Sequence, residues 1–408
     1  MRGLADLPAG HRQILAAAQE IAREIAVDVH LVGGPVRDLE LGRPVDDLDL
    51  VLDQRAEELV ERLARRLDAG IRSFPQFLTW KLTADGLPAV DVATARAEVY
   101  PLPGALPIVR PASLSDDLAR RDFTINAIAL DIRSDALIDP FDGLGDLRAG
   151  RLRALHAASF RDDPTRIFRA LRLAARLDFD VEPATEDLLD RAVAEGALET
   201  VSRERIWREI ELALAESRRG DVVTVLWRGG ALRQVLGLDE RPVASISFDR
   251  LAAIADECGG IDRQIAFLAM LLRTSTSPST ALDGSGVSAR RREQIIAIAA
   301  SVDDLVTQAV RPATDRERLP LIRSTPIEAA VVAAALDERA EPFLASLRRY
   351  RELGPAVRGD ELGVPLGAHV GLALQRTRDA IFLGDIEPSD AVTFARSLAL
   401  QYLETGQP

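Results

Sequence analysis

Residues 31–53 read LVGGPVRDLELGRPVDDLDLVLD, and the folding of this stretch decides the architecture of the N-terminal part of the chain. An apolar run, a diglycine, a proline and then leucines alternating with aspartates spell strand, turn, helix and strand. Pro35 suits the first turn of a helix, where a fixed φ and a missing donor cost nothing, so Gly33 and Gly34 fall in the turn before it. Side chains alternate between the faces of a strand, which sends Leu48, Leu50 and Leu52 one way and Asp47 and Asp49 the other. Two carboxylates one pleat apart suit hard divalent cations such as Mg²⁺. A solvated strand edge produces the same pattern, so the pair has to be weighed with its surroundings.

The glycine turn is the first of these surroundings. Lacking side chains, it lets phosphates approach the backbone amides at a helix N-terminus, and Arg37 can add a charge-assisted contact. The G-x-G-x-x-G fingerprint is missing, which argues against dinucleotide binding. A third carboxylate, Asp91 in AVDVATA, is flanked by Val90 and Val92 on the opposite face; it either completes a metal site or faces solvent.

Working outward, strands are expected at VHLVGG (29–34), LDLVLD (48–53), FLTWKLTA (77–84), LPAVDVATA (87–95) and INAIALDI (125–132), with a helix at 54–69. The segment RAEVYPLPGALPIVRPAS (96–113) holds Pro101, Pro103, Pro107 and Pro111, so it is expected to be an exposed, mobile loop rather than a regular element. From Phe160 onward, apolar residues recur at spacings of three and four, and nearly everything reads as helix. Boundaries are expected near 150, 215 and 300, with no repeat and no flexible linker between them.

Composition narrows the class. The chain has 408 residues, enough for two or more domains, with 47% hydrophobic and 28% charged residues, as in a globular protein. No apolar run reaches the roughly 18 residues of a membrane span, and the N-terminus lacks a signal-peptide core; a cytoplasmic protein without membrane contact is expected. The single cysteine, Cys258, excludes a disulfide framework and a cysteine zinc site. His11, His30, His156 and His369 are scattered and form no metal pattern. A net charge of -13 argues against the whole surface binding a polyanion. Between Arg148 and Arg176, however, eight arginines face only Asp162 and Asp163, a basic island suited to RNA or nucleotide phosphates, or equally to a solvated helix face.

Two further clusters carry chemistry. In RRDFTINA (120–127), Arg120 and Arg121 can neutralise phosphates while Asp122 and Asn126 hydrogen-bond sugar hydroxyls; a capped turn with local ion pairs explains the same residues. In FRDDPTRIFRALRLAAR (160–176), Asp163, Arg166, Arg169 and Arg172 follow at three-residue steps and would share one helix face. An acceptor beside a donor matches the base edge of cytosine or adenine, an exocyclic amino group next to an unprotonated ring nitrogen, and would disfavour guanine and uracil by about 1–3 kcal/mol per bidentate contact; a helix-surface ion pair explains the same residues.

GGPVRDLELG with DLD, RRDFTINA, DPFDGLGDLRAGRLRAL and RDDPTRIFRALRLAARLDF, in this order, resemble the bacterial and eukaryotic class of tRNA nucleotidyltransferases (class II, the CCA-adding enzymes) and the bacterial poly(A) polymerases. VSRERIWREI (201–210) resembles the fifth motif of that family, and residues 362–391 its C-terminal tail. The resemblance implies an α+β protein: a polymerase-β-like head (1–150), a helical neck that reads the nucleobase (151–215), a helical body (216–300) and a tRNA-binding tail (301–408). It implies that Asp47 and Asp49 hold the metals and that Gly34 and Arg37 contact the triphosphate; Asp91 as a third acid and Gly33 in the phosphate turn are candidates from the strand and turn pattern alone. Arg120, Arg121 and Asp122 would serve phosphate and ribose, beside Asn126 from the residue reading; Asp163 and Arg166 would template C or A, and Arg169 and Arg172 would support the nucleotide. The implied partners are the tRNA 3′ end, CTP and ATP, with Mg²⁺ as cofactor and no obligate protein partner. The chain departs from the family in having Asp162 where a glutamate usually orients the arginine. Segment 96–113 stands where the family has the loop that switches C to A addition, which leaves CCA, CC-only, A-only and poly(A) addition open. A non-catalytic RNA-binding helical protein would explain the basic island but not the diglycine and the aspartates together.

Overall fold

The computed structural model describes residues 2–238, 245–311, 313–354 and 357–405. Contacts divide the chain into two compact units: residues up to Arg218 with Val222–Val235, and Arg219–Asp221 with the chain from Leu236 onward.

The first unit is built on a mixed sheet of seven strands. After helix α1 (Ala9–Glu24) come β1 (His30–Val32), helix α2 (Gly34–Leu41), β2 (Leu48–Leu52), helix α3 (Ala56–Leu67), β3 (Gly70–Phe74), β4 (Thr79–Thr83) and β5 (Val90–Thr94). A separate hairpin, β6 (Arg96–Val99) and β7 (Ile108–Pro111), leads to helix α4 (Leu114–Ala119), and β8 (Ala129–Asp131) and β9 (Leu137–Ile138) finish the main sheet. Its order is β3-β4-β5-β2-β1-β8-β9, and β2 and β5 run parallel. Leu48, Leu50 and Leu52 are fully buried, and α3 packs against β3, β4 and β5. One face of β2 thus joins the core through the leucines, and the other carries Asp49 at its start and Val51, buried in a second apolar cluster with Val32 and Leu118, further along.

Three expectations are corrected. Segment 96–113 is not wholly irregular, because β6 and β7 pair antiparallel from Arg96↔Pro111 to Val99↔Ile108. The prolines are compatible with it: Pro101, Pro103 and Pro107 fall between the strands, and Pro111 ends a two-stranded ribbon where a missing donor is tolerated. INAIALDI is a strand only from Ala129; Thr124–Asn126 forms a 3₁₀ turn that buries Asn126. After α5 (Gly143–Ala149) and the short strand β10 (Arg151–Leu152), the helix expected from Phe160 is broken into α6 (Ser159–Asp162) and α7 (Thr165–Leu177). Asp163 takes extended backbone angles because Pro164 disfavours the helical region for the residue before it. Asp163 is thus a cap residue rather than a member of the helix face. Strand β11 (Asp180–Val181), α8 (Pro183–Ala194) and α9 (Arg203–Ala215) follow, and α7 packs on α9.

The second unit is helical. Its helix Ile327–Leu336 is buried along almost its whole length and packs against helices Ser245–Glu257, Arg263–Leu272, Ala289–Ala309 and Glu341–Glu352. Helices Ala368–Leu383 and Ala391–Thr405 form a terminal pair over Val370, Ala373, Ala391, Ala395 and Ala399. Asp379, buried, accepts from the Tyr350 hydroxyl and from Arg323, tying that pair to its neighbours. Among the described residues, no single helix is long and apolar enough to cross a membrane. Cys258 is buried and unpaired.

Candidate active site

The diglycine is a steric requirement at its first position. Gly33 has φ +73°, a region L side chains rarely adopt, and an added Cβ would lie 2.5 Å from Arg121 Nη1. Gly34 opens α2, with Pro35 in its first turn. Arg37, one turn on, is buried: it forms a bidentate pair with Asp38 and donates from Nη1 to Asn126 Oδ1 at 2.6 Å.

Strand register assembles the acids. Asp49 on β2 lies directly opposite Asp91 on β5, and Asp47 just precedes β2. Carboxylate oxygens of Asp47, Asp49 and Asp91 come within 4.8 Å of one another, so the third carboxylate joins the first two instead of facing solvent apart from them. Burial pushes Asp49 up to about 7, and the charge of Asp47 adds to the shift; burial and then Asp91 raise Asp47. Among the described residues, Lys81 Nζ, 3.2 Å from Asp91, is the cation in direct contact with the cluster, and the charge of Arg121 partly offsets the rise of Asp49. Three hard oxygen donors with so little compensating charge fit a divalent cation.

RRDFTINA is held by an acid that sequence reading overlooked. Asp117 on α4, fully buried, accepts from Arg120 at 2.8 Å and Arg121 at 2.9 Å; burial raises its carboxyl, but Arg121 and Arg120 outweigh this and hold it below the ordinary range. The signal was legible, since Asp117 stands three and four residues before the arginines on one helical path. Glu98 on β6, a second partner of Arg120 at 2.5 Å, had no local signal. DPFDGLGDLRAGRLRAL turns out to brace this turn. Asp139 accepts from the amides of Gly143 and Leu144, and buried Asp146 accepts from Thr124 Oγ1 and Arg153 Nε.

Asp122 and Asn126 link sheet to helix. Asp122 accepts from Asn126 Nδ2 at 2.9 Å and from Arg169 Nε and Nη2 at 2.9 and 2.6 Å. Burial alone would raise Asp122, yet Arg169 and Asn126 hold it well below the usual carboxylate range. Arg172 pairs with Glu209 and Glu216, and Arg176 with Asp38 and Glu216. Arg151, Arg153, Arg166, Arg169, Arg172 and Arg176 therefore each have a partner within the protein, though Arg151, Arg153 and Arg169 stay partly exposed, and much of the basic island braces the fold.

Asp163 and Arg166 flank the break between α6 and α7. Asp163 Oδ1 accepts from Thr165 N and Oγ1 and from Arg205 Nη2 at 2.8 Å. Arg166 donates to Ser159 Oγ at 2.8 Å, to the Arg120 carbonyl at 2.8 Å and to the Arg121 carbonyl at 3.4 Å. Carbonyl oxygens and a serine thus do the orienting that the family's glutamate would do at position 162. Arg205, on α9, also donates to the Gly104 carbonyl at 2.7 Å, so one guanidinium joins the β6–β7 connection to Asp163. Arg205 and Glu209 lie in VSRERIWREI at helical spacing, but nothing local pointed to Asp163 or Arg172 as their partners.

Gly34, Arg37, Asp47, Asp49, Arg120, Arg121, Asp122, Asn126, Asp163, Arg166, Arg169 and Arg172 line one cavity of about 620 Å³, joined by Tyr100 and Glu209. Gly33 and Asp91 are not part of this lining: Gly33 lies against Arg121, and Asp91 belongs to the acidic cluster with Asp47 and Asp49. A mixed sheet that offers clustered carboxylates beside a glycine turn and an arginine-lined cavity defines a nucleotidyltransferase head. Residues 29–153 match the poly A polymerase head domain. The chain is 45% identical over 210 residues to the A-adding tRNA nucleotidyltransferase of Aquifex aeolicus, covering 51% of this chain and 25% of that one. A tRNA-processing enzyme in its apo form is 30% identical, with TM-score 0.75 over 92% of this chain and 98% of the other. The Thermotoga maritima CCA-adding enzyme complexed with tRNA-CCA is 26% identical, with TM-score 0.79 over 98% and 99%. The chain belongs to the family of tRNA nucleotidyltransferases and poly(A) polymerases. It spans between about a quarter and half of the length of the first curated relatives it matches.

Proposed function

We propose that this protein adds C, A or both from CTP and ATP to the 3′ end of tRNA and releases pyrophosphate. The observation that carries the reading is the single cavity shared by the acidic cluster and the Asp163/Arg166 pair. Relatives named for A addition and for CCA addition support it. On this reading residues 1–150 are the head, 151–215 the neck, 216–300 the body and 301–408 a tRNA-binding tail.

The tRNA 3′ hydroxyl attacks the α-phosphorus in line; the new P–O bond forms as the bond to the bridging oxygen of pyrophosphate breaks. Asp47, Asp49 and Asp91 would hold Mg²⁺, which when bound supplies the Lewis acidity that favours the attacking alkoxide and neutralises the leaving group. Gly33 and Gly34 admit the triphosphate to the amides of α2, and Arg37 adds a charge-assisted donor. Asp122, fixed by Asn126 and Arg169, receives a ribose hydroxyl, and Arg120 and Arg121 face the phosphates. Asp163 accepts from the exocyclic amino group of C or A and Arg166 donates to the ring nitrogen, with Arg169 and Arg172 behind the base. Catalysis by this chain is chiefly positioning of the two reactants.

The test uses tRNA transcripts ending before CCA, after C and after CC, supplied with each nucleotide singly and together, and sequences the products. Addition confined to C and A positions is expected. Long A tails would make the protein a poly(A) polymerase, and no extension with Mg²⁺ would refute the enzyme reading.

A further inference from the structure

Lys81 is the only lysine in the chain, against fifty arginines, and it stands beside the acidic cluster. On β4 it lies directly opposite Asp91 of β5, which lies directly opposite Asp49 of β2. Directly opposed residues share a face, so Lys81, Asp91 and Asp49 form a row across three strands. The Lys81 ammonium meets only one oxygen of Asp91, Oδ2 at 3.2 Å, and both side chains are about a third exposed. Such a contact is weak and exchangeable. Arginine there would present a planar fork able to engage both carboxylate oxygens, and would be much harder to displace.

From this geometry we infer that Lys81 is a built-in counter-cation that competes with the divalent ion for Asp91. In the ligand-free protein the ammonium offsets part of the charge of three crowded carboxylates. When a divalent ion enters, Asp91 exchanges Lys81 for the stronger cation, and Lys81 swings toward solvent on its flexible stem. Lys81 is therefore a positioning residue that sets how tightly the acidic cluster loads metal. It touches Asp91 and no reacting atom. The inference rests on the metal reading proposed above.

The experiment titrates the full-length, nucleotide-free protein with Mn²⁺ and reads free Mn²⁺ by electron paramagnetic resonance. Lys81→Met should bind Mn²⁺ roughly three- to tenfold more tightly than the natural protein, because a positive neighbour is removed. Lys81→Arg should bind it more weakly by a comparable factor. A merely structural lysine predicts the same direction for both variants, so opposite directions are the signature. In a second reading, amine-directed acylation followed by peptide mapping should label Lys81 faster at saturating Mn²⁺. Equal affinities in all three proteins, or losses in both variants, would overturn the inference while leaving the metal reading intact. If the natural protein and Asp47→Ala both fail to take up Mn²⁺, the metal reading falls and this inference with it.

Discussion

The two walls of the cavity are charged in opposite senses and finished to different degrees. On the sheet wall, Asp47, Asp49 and Asp91 crowd together with one weakly held lysine, and burial with mutual repulsion raises Asp49 and Asp47. On the helix wall nearly every charge is answered: Asp122 by Arg169 and Asn126, Asp163 by Arg205, Arg172 by two glutamates. A buried charge left without a partner costs stability unless something else supplies one. The acidic wall thus carries carboxylates that repel one another, whereas on the arginine wall the charges are paired within the protein.

If this contrast is functional, mutations on the two walls should fail differently. Asp49→Ala should show the largest effect, a loss of nucleotide addition on the order of a thousandfold, with no drop in melting temperature because it relieves repulsion. A single-turnover incorporation assay beside a thermal melt checks both halves, and a destabilised variant would break the comparison. Asp122→Ala should destabilise by about 2–3 kcal/mol in urea unfolding, moderated because Arg169 is partly exposed and can regain water. Since the folded state depresses Asp122, its contribution is present above its unfolded pKa of about 3.9 and is lost as pH falls below that value. The stability gap between natural protein and Asp122→Ala should accordingly narrow in acid, and a constant gap would sink the ion-pair account. Asp163→Ala should lower discrimination of C and A against G and U by about five- to a hundredfold, read from single-nucleotide incorporation; unchanged rejection of G and U would remove Asp163 from base reading. The smallest effect belongs to Asp162→Glu, which should alter incorporation by less than about twofold, because Arg166 is already held by carbonyl oxygens and Ser159.

Legibility followed the range of the interactions. The turn at Gly33, the helix start at Pro35 and the alternation along β2 are local, and each follows from backbone sterics or strand geometry. Pro164 is equally local, yet the periodic apolar residues around it mask the break it causes, and the helix face of Arg166, Arg169 and Arg172 begins only after Asp163. The prolines of 96–113 misled in the other direction, since they punctuate a hairpin whose pairing depends on Arg96 meeting Pro111. Glu98, Arg205 and Glu209 were overlooked as members of the site because their partners lie 22, 42 and 37 residues away.

The amino-acid sequence alone determined the chemistry on offer: which face of β2 carries the acids, where a glycine is obligatory, and which arginines sit a helical turn apart. Periodicity and sterics act over a few residues, so they can be read in one dimension. Tertiary structure decided which charges are spoken for. Strand register brought Asp91 and Lys81 to Asp49, and the packing of α7 against the sheet turn and α9 closed Asp122 on Arg169 and Asp163 on Arg205. Charge compensation depends on distance in space and on burial, and neither is written in the spacing of residues along the chain.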